Sequence, residues 1–268
     1  MKSILHRIAS RLRTCGPWLL LCASLLTGGV AAATIDAAQM IDAAGRQRML
    51  TQRIVKAYCQ VGLQVTPQVS RAQLLAAIDR FDSQLAMLAA NVSSAEMGAA
   101  VTNMSKQWRG FRQTASGRVS RDGAQALAVR SEGLLRASHA LVLLLERDAG
   151  TPKAKLINIA GRQRMLTQRM AKLYMLRAWG IDAASIQGDI DAAAVQFAEV
   201  LAMLRAAPEN TVEINRELEA VALQWEWFRS AIELQGAESY ARVVADASES
   251  ILNSMDLITA KYARLARR

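Results

Sequence analysis

The chain has 268 residues, of which 52% are hydrophobic and 21% are charged, with a formal net charge of +10. That composition allows one or two domains with a sizeable core, and the presence of only four prolines favours helix over sheet. Three cysteines and two histidines exclude a disulfide framework and the clustered ligands of a metal or haem site, so neither a metal nor another cofactor is expected.

The N-terminus has the pattern of an export signal. Residues 1–13 carry four basic side chains and no acidic one, and an apolar run follows over residues 17–30. Three alanines then form a small-residue cleavage site, so residues 1–33 are predicted to be a signal peptide that is cleaved near Ala33. This pattern predicts a periplasmic protein. The alternative is that an uncleaved N-terminal segment anchors the chain in the inner membrane.

Removal of this segment leaves 29 basic and 23 acidic residues, a net charge of +6. Exported proteins do not usually meet nucleic acid, so this modest excess indicates a bias towards anions and no nucleic-acid partner. One cysteine remains, Cys59, in an apolar helical stretch where a buried and inert thiol is expected. One histidine remains, His139, which is expected to be a satisfied or exposed helix residue.

The rest of the chain predicts eight helices, four in each half. They run near 35–64, 68–91, 95–116 and 120–148, and then near 153–180, 183–206, 209–234 and 238–266. Glycine, proline and asparagine mark the breaks, and a Gly-Thr-Pro joint separates the halves. Short connections favour up-down packing. The predicted fold is therefore all-α, with two tandem up-down four-helix bundles, residues 34–149 and residues 150–268, after the N-terminal signal peptide.

The two halves are copies of one unit. The string AGRQRMLTQR occurs at 44–53 and again at 160–169, and the surrounding segments 41–58 and 157–174 share 13 of 18 residues. FDSQLAML in the second helix matches FAEVLAML in the sixth at the same offset. The third helix of each copy carries a matching tryptophan and phenylalanine; we expect Trp108, Trp225 and Trp227 to lie in the core.

On a helical wheel the repeated string has two faces. One is the apolar stripe expected to form the bundle core, with Ala43, Leu50, Ile54, Ala57 and Val61. The opposite face is identical in both copies and contains no acidic residue. It consists of Ile41, Gly45, Arg48, Gln52 and Lys56 in the first copy and Ile157, Gly161, Arg164, Gln168 and Lys172 in the second.

This second face has the chemistry of an anion site. A glycine inside a helix costs about 1 kcal/mol relative to alanine, so its presence indicates the close approach of another group. Guanidinium is a planar fork that matches planar oxyanions, and two facing arginines repel each other unless an anion lies between them. The alternative is a recent duplication that has not had time to diverge, although the flanking segments have diverged heavily.

The string resembles the first helix of the PilJ/NarX-type nitrate-sensor domain, a periplasmic four-helix bundle of chemotaxis transducers and sensor kinases. The segments that carry the resemblance are IDAAGRQRMLTQRIVK and INIAGRQRMLTQRMAK. The resemblance implies that nitrate or nitrite is held where two such helices meet, by the arginine before methionine and by backbone near the glycine. The implied site residues are Gly45, Arg48, Gly161 and Arg164, with a less certain contribution from Arg46, Gln52, Arg162 and Gln168.

The resemblance implies an exported, non-enzymatic sensor-type protein that binds a small oxyanion. No nucleophile–base arrangement and no glycine-rich phosphate loop is readable, so no catalytic residue is expected. The sequence ends at Arg268 without a second apolar run of about 20 residues, so the protein is expected to act through a membrane-bound sensor or transducer. The alternative is a structural or interaction module whose basic face docks an acidic partner or a membrane sensor without a small ligand.

Two arrangements of the motif helices remain open. The helices near 35–64 and 153–180 could pack face to face in one chain, with Arg48 and Arg164 about a single anion. Alternatively, the two bundles could stack end to end, so that each motif helix pairs with its twin in a homodimer. The short joint slightly favours this second arrangement.

Overall fold

The computed structural model describes residues 35–181, 183–233 and 238–267, and all regular structure in these ranges is helical. The predicted signal peptide lies outside the described residues, as do parts of the predicted breaks before the sixth and the eighth helix. The helices are α1 (Ala37–Gly62), α2 (Pro67–Asn91), α3 (Ala95–Ala115), α4 (Arg121–Ala149), α5 (Pro152–Ala178), α6 (Ala183–Arg205), α7 (Val212–Glu233) and α8 (Glu238–Ala266). The predicted all-α fold with two tandem sets of four helices is confirmed. None of the described helices is both long and apolar enough to cross a membrane.

Local sequence sets the ends of the two motif helices. Asp36 begins α1 with a reciprocal capping box, in which its carboxylate accepts from the backbone N–H of Gln39 and the Gln39 side chain accepts from the backbone of Asp36. Thr151 caps α5 through its hydroxyl, and the proline that follows it fits the first turn of a helix. Gly150 ends α4 in the left-handed region, with φ of 59°, which a glycine adopts without strain.

The motif helices α1 and α5 form the centre of the molecule. α1 packs against α2, α4 and α5, whereas α5 packs against α6, α8 and α1. α3 lies on α4 and α7 lies on α8, so the outer helices enclose a central pair. Residues 35–268 form one compact unit, and the eight helices therefore share one core.

α1 and α5 lie side by side in the same direction within one chain. Ala38 and Ala154, near their starts, line one small cavity, and at their far ends the site of a Cβ on Gly62 lies 2.1 Å from the Trp179 ring. The end-to-end arrangement that the short joint slightly favoured is therefore not observed. The left-handed cap at Gly150 ends α4 and reverses the chain, so α5 returns alongside α1 instead of continuing α4.

Aromatic clusters fill the outer part of each half. Phe81 stacks on Trp108 with ring centroids 3.8 Å apart, and Phe197 stacks on Trp225 at 4.4 Å. The prediction that all three third-helix tryptophans are core residues is wrong for Trp227, which is 80% exposed. Trp227 follows Trp225 by two residues, about 200° around a helix, so it points away from the core that Trp225 enters.

Candidate functional site: a buried arginine layer between the motif helices

The basic face of the repeated string is the interface between α1 and α5. Of its members, Arg48 is 2% exposed and Arg164 is 0% exposed, and both are among the largest fully buried side chains in the described residues. A buried arginine needs a counter-charge or a full set of hydrogen-bond acceptors, because an unpaired charge is expensive to remove from water. The interface therefore holds two guanidinium groups that must be compensated inside the bundle.

The motif glycines make room for these two side chains. A Cβ on Gly45 would lie 3.4 Å from Nη2 of Arg48 and 3.7 Å from Nη2 of Arg164. A Cβ on Gly161 would lie 3.2 Å from Nη2 of Arg164 and 3.5 Å from Nη2 of Arg48. The groups that approach the glycines closely are thus the two arginine side chains. The structure brings the four principal residues of the predicted site, Gly45, Arg48, Gly161 and Arg164, together in one layer.

Carboxylates compensate the Arg164 side of this layer. Arg164 donates to Oδ1 of Asp42 at 2.7 Å and to Oδ1 of Asp256 at 2.6 Å. Arg46 bonds to the same two carboxylates at 3.0 Å each. Burial alone would lower the pKa of Arg164, but Asp42 and Asp256 outweigh it and leave that pKa raised. Two arginines and two aspartates make this half-site formally neutral.

The hydrogen-bond partners of Arg48 are neutral groups. Arg48 donates to Oδ1 of Asn158 at 2.8 Å and to its backbone oxygen at 3.3 Å, and its Nη1 lies 3.2 Å from Nδ1 of His139. Among the described residues no carboxylate oxygen lies within 4.0 Å of the Arg48 guanidinium. Burial, together with Arg164 and Arg162, lowers the pKa of Arg48 to about 9. The charge of Glu146, whose carboxylate accepts from the Asn158 amide, opposes this shift from a greater distance.

The less certain residues of the predicted site have different roles. Arg46 belongs to the neutral half-site, whereas Arg162 is exposed and donates to Gln196 at 2.8 Å, within electrostatic reach of Arg48. Gln52 is fully buried, and neither its amide nitrogen nor its amide oxygen has a hydrogen-bond partner among the described residues. Gln168 donates to the backbone of Ser248 at 3.1 Å, but its oxygen has no such partner.

These unpaired groups lie on one face of the central helix pair. Four groups contain buried polar atoms without a described partner. They are the Nε atoms of Arg48 and Arg164, both amide atoms of Gln52, and the amide oxygen of Gln168. An unsatisfied buried donor or acceptor costs about 1–3 kcal/mol. A small polar molecule that accepts from Nε or from the amide of Gln52 would recover part of that free energy.

A second charged layer lies one turn beyond the glutamines. Lys56 is fully buried and donates to Glu249 at 2.5 Å and to Ser248 at 3.1 Å, while Arg53 also pairs with Glu249. In the other copy Lys172 donates to Glu132 at 3.0 Å and to the hydroxyl of Ser131 at 3.3 Å, and Arg169 joins Glu132. Carboxylates thus compensate the charges of both motif lysines, whereas Arg48 has no carboxylate partner among the described residues.

Sequence reasoning missed Asp42, Asn158, His139 and Asp256 as members of the arginine layer. The signal was present, because Asp42 and Asn158 occupy the same position of the two copies, 116 residues apart. His139 and Asp256 are likewise equivalent, at the offset of 117 that relates the last helices. At these two pairs of positions the copies differ, and the difference gives Arg48 and Arg164 different hydrogen-bond partners.

The expected burial of Cys59 and the expected surface position of His139 are confirmed. Cys59 is a free, fully buried thiol, and burial raises its pKa. His139 is exposed on α4. Within the described residues no group of three or more histidine, cysteine or acidic side chains could hold a metal ion. The unpaired donors of this interface are groups to which a hydrogen-bond acceptor could bind.

A comparison with known families identifies the duplicated unit. No curated protein and no solved structure matches the chain. The family model described as "Type IV pili methyl-accepting chemotaxis transducer N-term", PilJ, matches twice, over residues 34–131 and 150–249. Domains of this family are non-catalytic, sensor-type helical domains and are typically periplasmic. Because the two matches cover most of the sequence and coincide with the two copies, the chain belongs to the PilJ family and carries its domain in tandem.

Proposed function

We propose that this protein is an exported, periplasmic ligand-binding sensor protein that holds one small monovalent oxyanion, such as nitrate or nitrite, at Arg48 between α1 and α5. The observation that carries the proposal is a fully buried guanidinium whose hydrogen-bond partners are all neutral. Arg48 is 2% exposed, yet its described partners are an amide, a backbone carbonyl and an imidazole. A planar oxyanion would supply the missing counter-charge and match the guanidinium fork.

The local charge balance supports a monovalent ligand. The Arg48 half-site contains Arg48 and Arg162 against the single carboxylate of Glu146, a formal excess of one positive charge. The opposite half-site is neutral because Asp42 and Asp256 balance Arg46 and Arg164. While His139 is neutral, one bound monovalent anion would make both halves neutral, whereas a divalent anion such as sulfate would leave one negative charge in excess.

Burial of the motif face argues against the alternative of a docking module. A basic surface that recruits an acidic partner must be accessible to that partner, but Arg48, Gln52 and Lys56 are at most 2% exposed, as are Arg164, Gln168 and Lys172. The ligand that these residues suit must be small enough to enter between two packed helices. Delivery of the signal would then require a membrane-bound sensor or transducer as partner, which recognises the change in the α1–α5 pair.

An anion panel tests this proposal. A ligand that binds only the folded chain raises the free energy of unfolding by about 2.7 kcal/mol at 100 times its Kd. We expect nitrate or nitrite to raise the melting temperature above that in chloride, sulfate or acetate at matched ionic strength. Arg48→Ala should lose this specific shift, whereas Arg112→Ala, which removes an exposed charge paired with Asp82, should retain it. Equal shifts with all five anions would contradict the proposal.

A further inference from the structure

Two pairs of equivalent positions make the arginine layer asymmetric. At the first, Asn158 accepts from Arg48 where Asp42 accepts from Arg164. At the second, His139 contacts Arg48 where Asp256 accepts from Arg164. One copy thus has a carboxylate where the other has an imidazole. Imidazole is the side chain that changes charge most readily near neutral pH.

The geometry makes the state of His139 depend on Arg48. The Nη1 group of Arg48 can only donate, so Nδ1 of His139 must accept across the 3.2 Å contact and the imidazole is neutral there. The charged groups that face the ring are Arg48 on α1, Arg162 on α5 and Glu146 on α4 itself. Burial, followed by Arg48 and Arg162, lowers the pKa of His139, and Glu146 opposes them.

Protonation of His139 would turn its contact with Arg48 from attractive to repulsive. Both Nη1 of Arg48 and Nδ1 of the imidazolium would then be donors, and they would repel each other unless an acceptor lay between them. An oxyanion oxygen is such an acceptor and could take a hydrogen bond from each group. His139 is also exposed, so it lies where a solvent anion would reach Arg48 from the α4 side.

Building on the proposed function, we propose that His139 is a proton-linked binding residue. In the complex, the imidazole takes one proton from solvent onto Nδ1, keeps it, and donates a hydrogen bond through it to the same anion that Arg48 binds. Nitrate affinity therefore increases as the pH falls, and the site responds jointly to anion and to acidity. The opposite half-site lacks this link between anion binding and pH, because the Asp256 carboxylate already supplies the acceptor that Arg164 needs.

Calorimetric titration of the chain with nitrate at pH 5.5 and pH 7.5 tests this inference. We expect affinity on the order of tenfold higher at pH 5.5, which lies within the limit of about a hundredfold that a single linked proton sets over two pH units. Titrations in two buffers of different ionisation enthalpy should show uptake of up to one proton per nitrate. Nuclear magnetic resonance should show that nitrate raises the pKa of the His139 imidazole, whose signal is assigned by its absence from the spectrum of His139→Gln.

Two variants complete the test. His139→Gln keeps a neutral acceptor beside Arg48, so it should bind nitrate with the same affinity at both pH values. His139→Asp copies the equivalent position of the other copy and should abolish binding by neutralising Arg48. Nitrate binding that is equally tight at both pH values in the parent chain overturns the role of His139 but leaves the proposed function standing. The absence of nitrate binding at both pH values overturns the role of His139 and the proposed function together.

Discussion

Substitution of Glu249 by glutamine should destabilise the protein more than the equivalent change in the other copy. Glu249 is the carboxylate partner of Lys56, and its Oε1 lies 2.5 Å from the Lys56 Nζ. The Lys56 side chain is 0% exposed, so Glu249→Gln keeps the side-chain volume but leaves a buried ammonium without its counter-charge. Removal of one partner of a buried pair costs about 3–5 kcal/mol. Glu249 is itself 18% exposed, so we expect the lower end, about 3 kcal/mol.

The equivalent substitution, Glu132→Gln, is the matched control. The Glu132 side chain is 37% exposed and lies 3.0 Å from Lys172, so solvent screens the pair and the expected loss is about 1 kcal/mol. At about 2–4 °C per kcal/mol for a domain of this size, Glu249→Gln should lower the melting temperature by about 6–12 °C.

Urea and thermal unfolding measure both losses. Lys56→Met in the Glu249→Gln background should recover most of the stability, because it removes the uncompensated charge. The reasoning is refuted if Glu249→Gln costs no more than Glu132→Gln, or if Lys56→Met adds a further loss instead of a recovery.

Three further predictions concern the rest of the molecule. Trp225→Ala should cost about 3–5 kcal/mol of folding free energy in urea unfolding and Trp227→Ala less than about 0.5, because Trp225 is 5% exposed and Trp227 is 80% exposed; equal losses would contradict the placement of the two rings. The carboxyls of Glu249, Glu132 and Asp42 are partly buried, which alone would raise each pKa, but their lysine and arginine partners outweigh burial and hold each pKa below its ordinary 4.5 or 3.8. Stability should therefore be fully present above about pH 5 and fall as the pH drops through the lowered values, and an acid titration of the melting temperature that stays flat to pH 2 would contradict this. Cys59 should react with a thiol reagent only as fast as the chain unfolds, because its thiol is fully buried with a raised pKa, and rapid labelling of the native chain would contradict that burial.

The sequence predicted the helices well because each depended on local signals. Asp36 and Thr151 cap the motif helices, and Gly150 ends α4 where the joint was expected. The duplication also indicated which positions matter, because an acid-free face recurs in both copies at helical spacing. Its four principal residues come together, as in the face-to-face arrangement that the sequence left open.

The packing of the two copies depended on longer-range geometry that composition does not reveal. The joint was short enough to suggest stacked bundles, but the left-handed conformation of Gly150 turns α5 back along α1. The partners of the arginines were missed because they come from distant helices. Asp256 lies 92 residues from Arg164, and His139 lies 91 residues from Arg48. Trp227 was misplaced because its position around the helix, two residues after Trp225, was not weighed against its apolar character.

The central claim is that one chain forms one anion site around Arg48. Calorimetric titration with nitrate, on a sample whose mass is measured by light scattering, tests it most directly. We predict one nitrate per chain at the mass of a single chain, and no binding heat after Arg48→Ala. A sample with the mass of two chains, in which mixing Arg48→Ala and Arg164→Ala chains restores binding, would contradict an intramolecular site. The absence of nitrate binding to the parent chain would contradict the anion site itself.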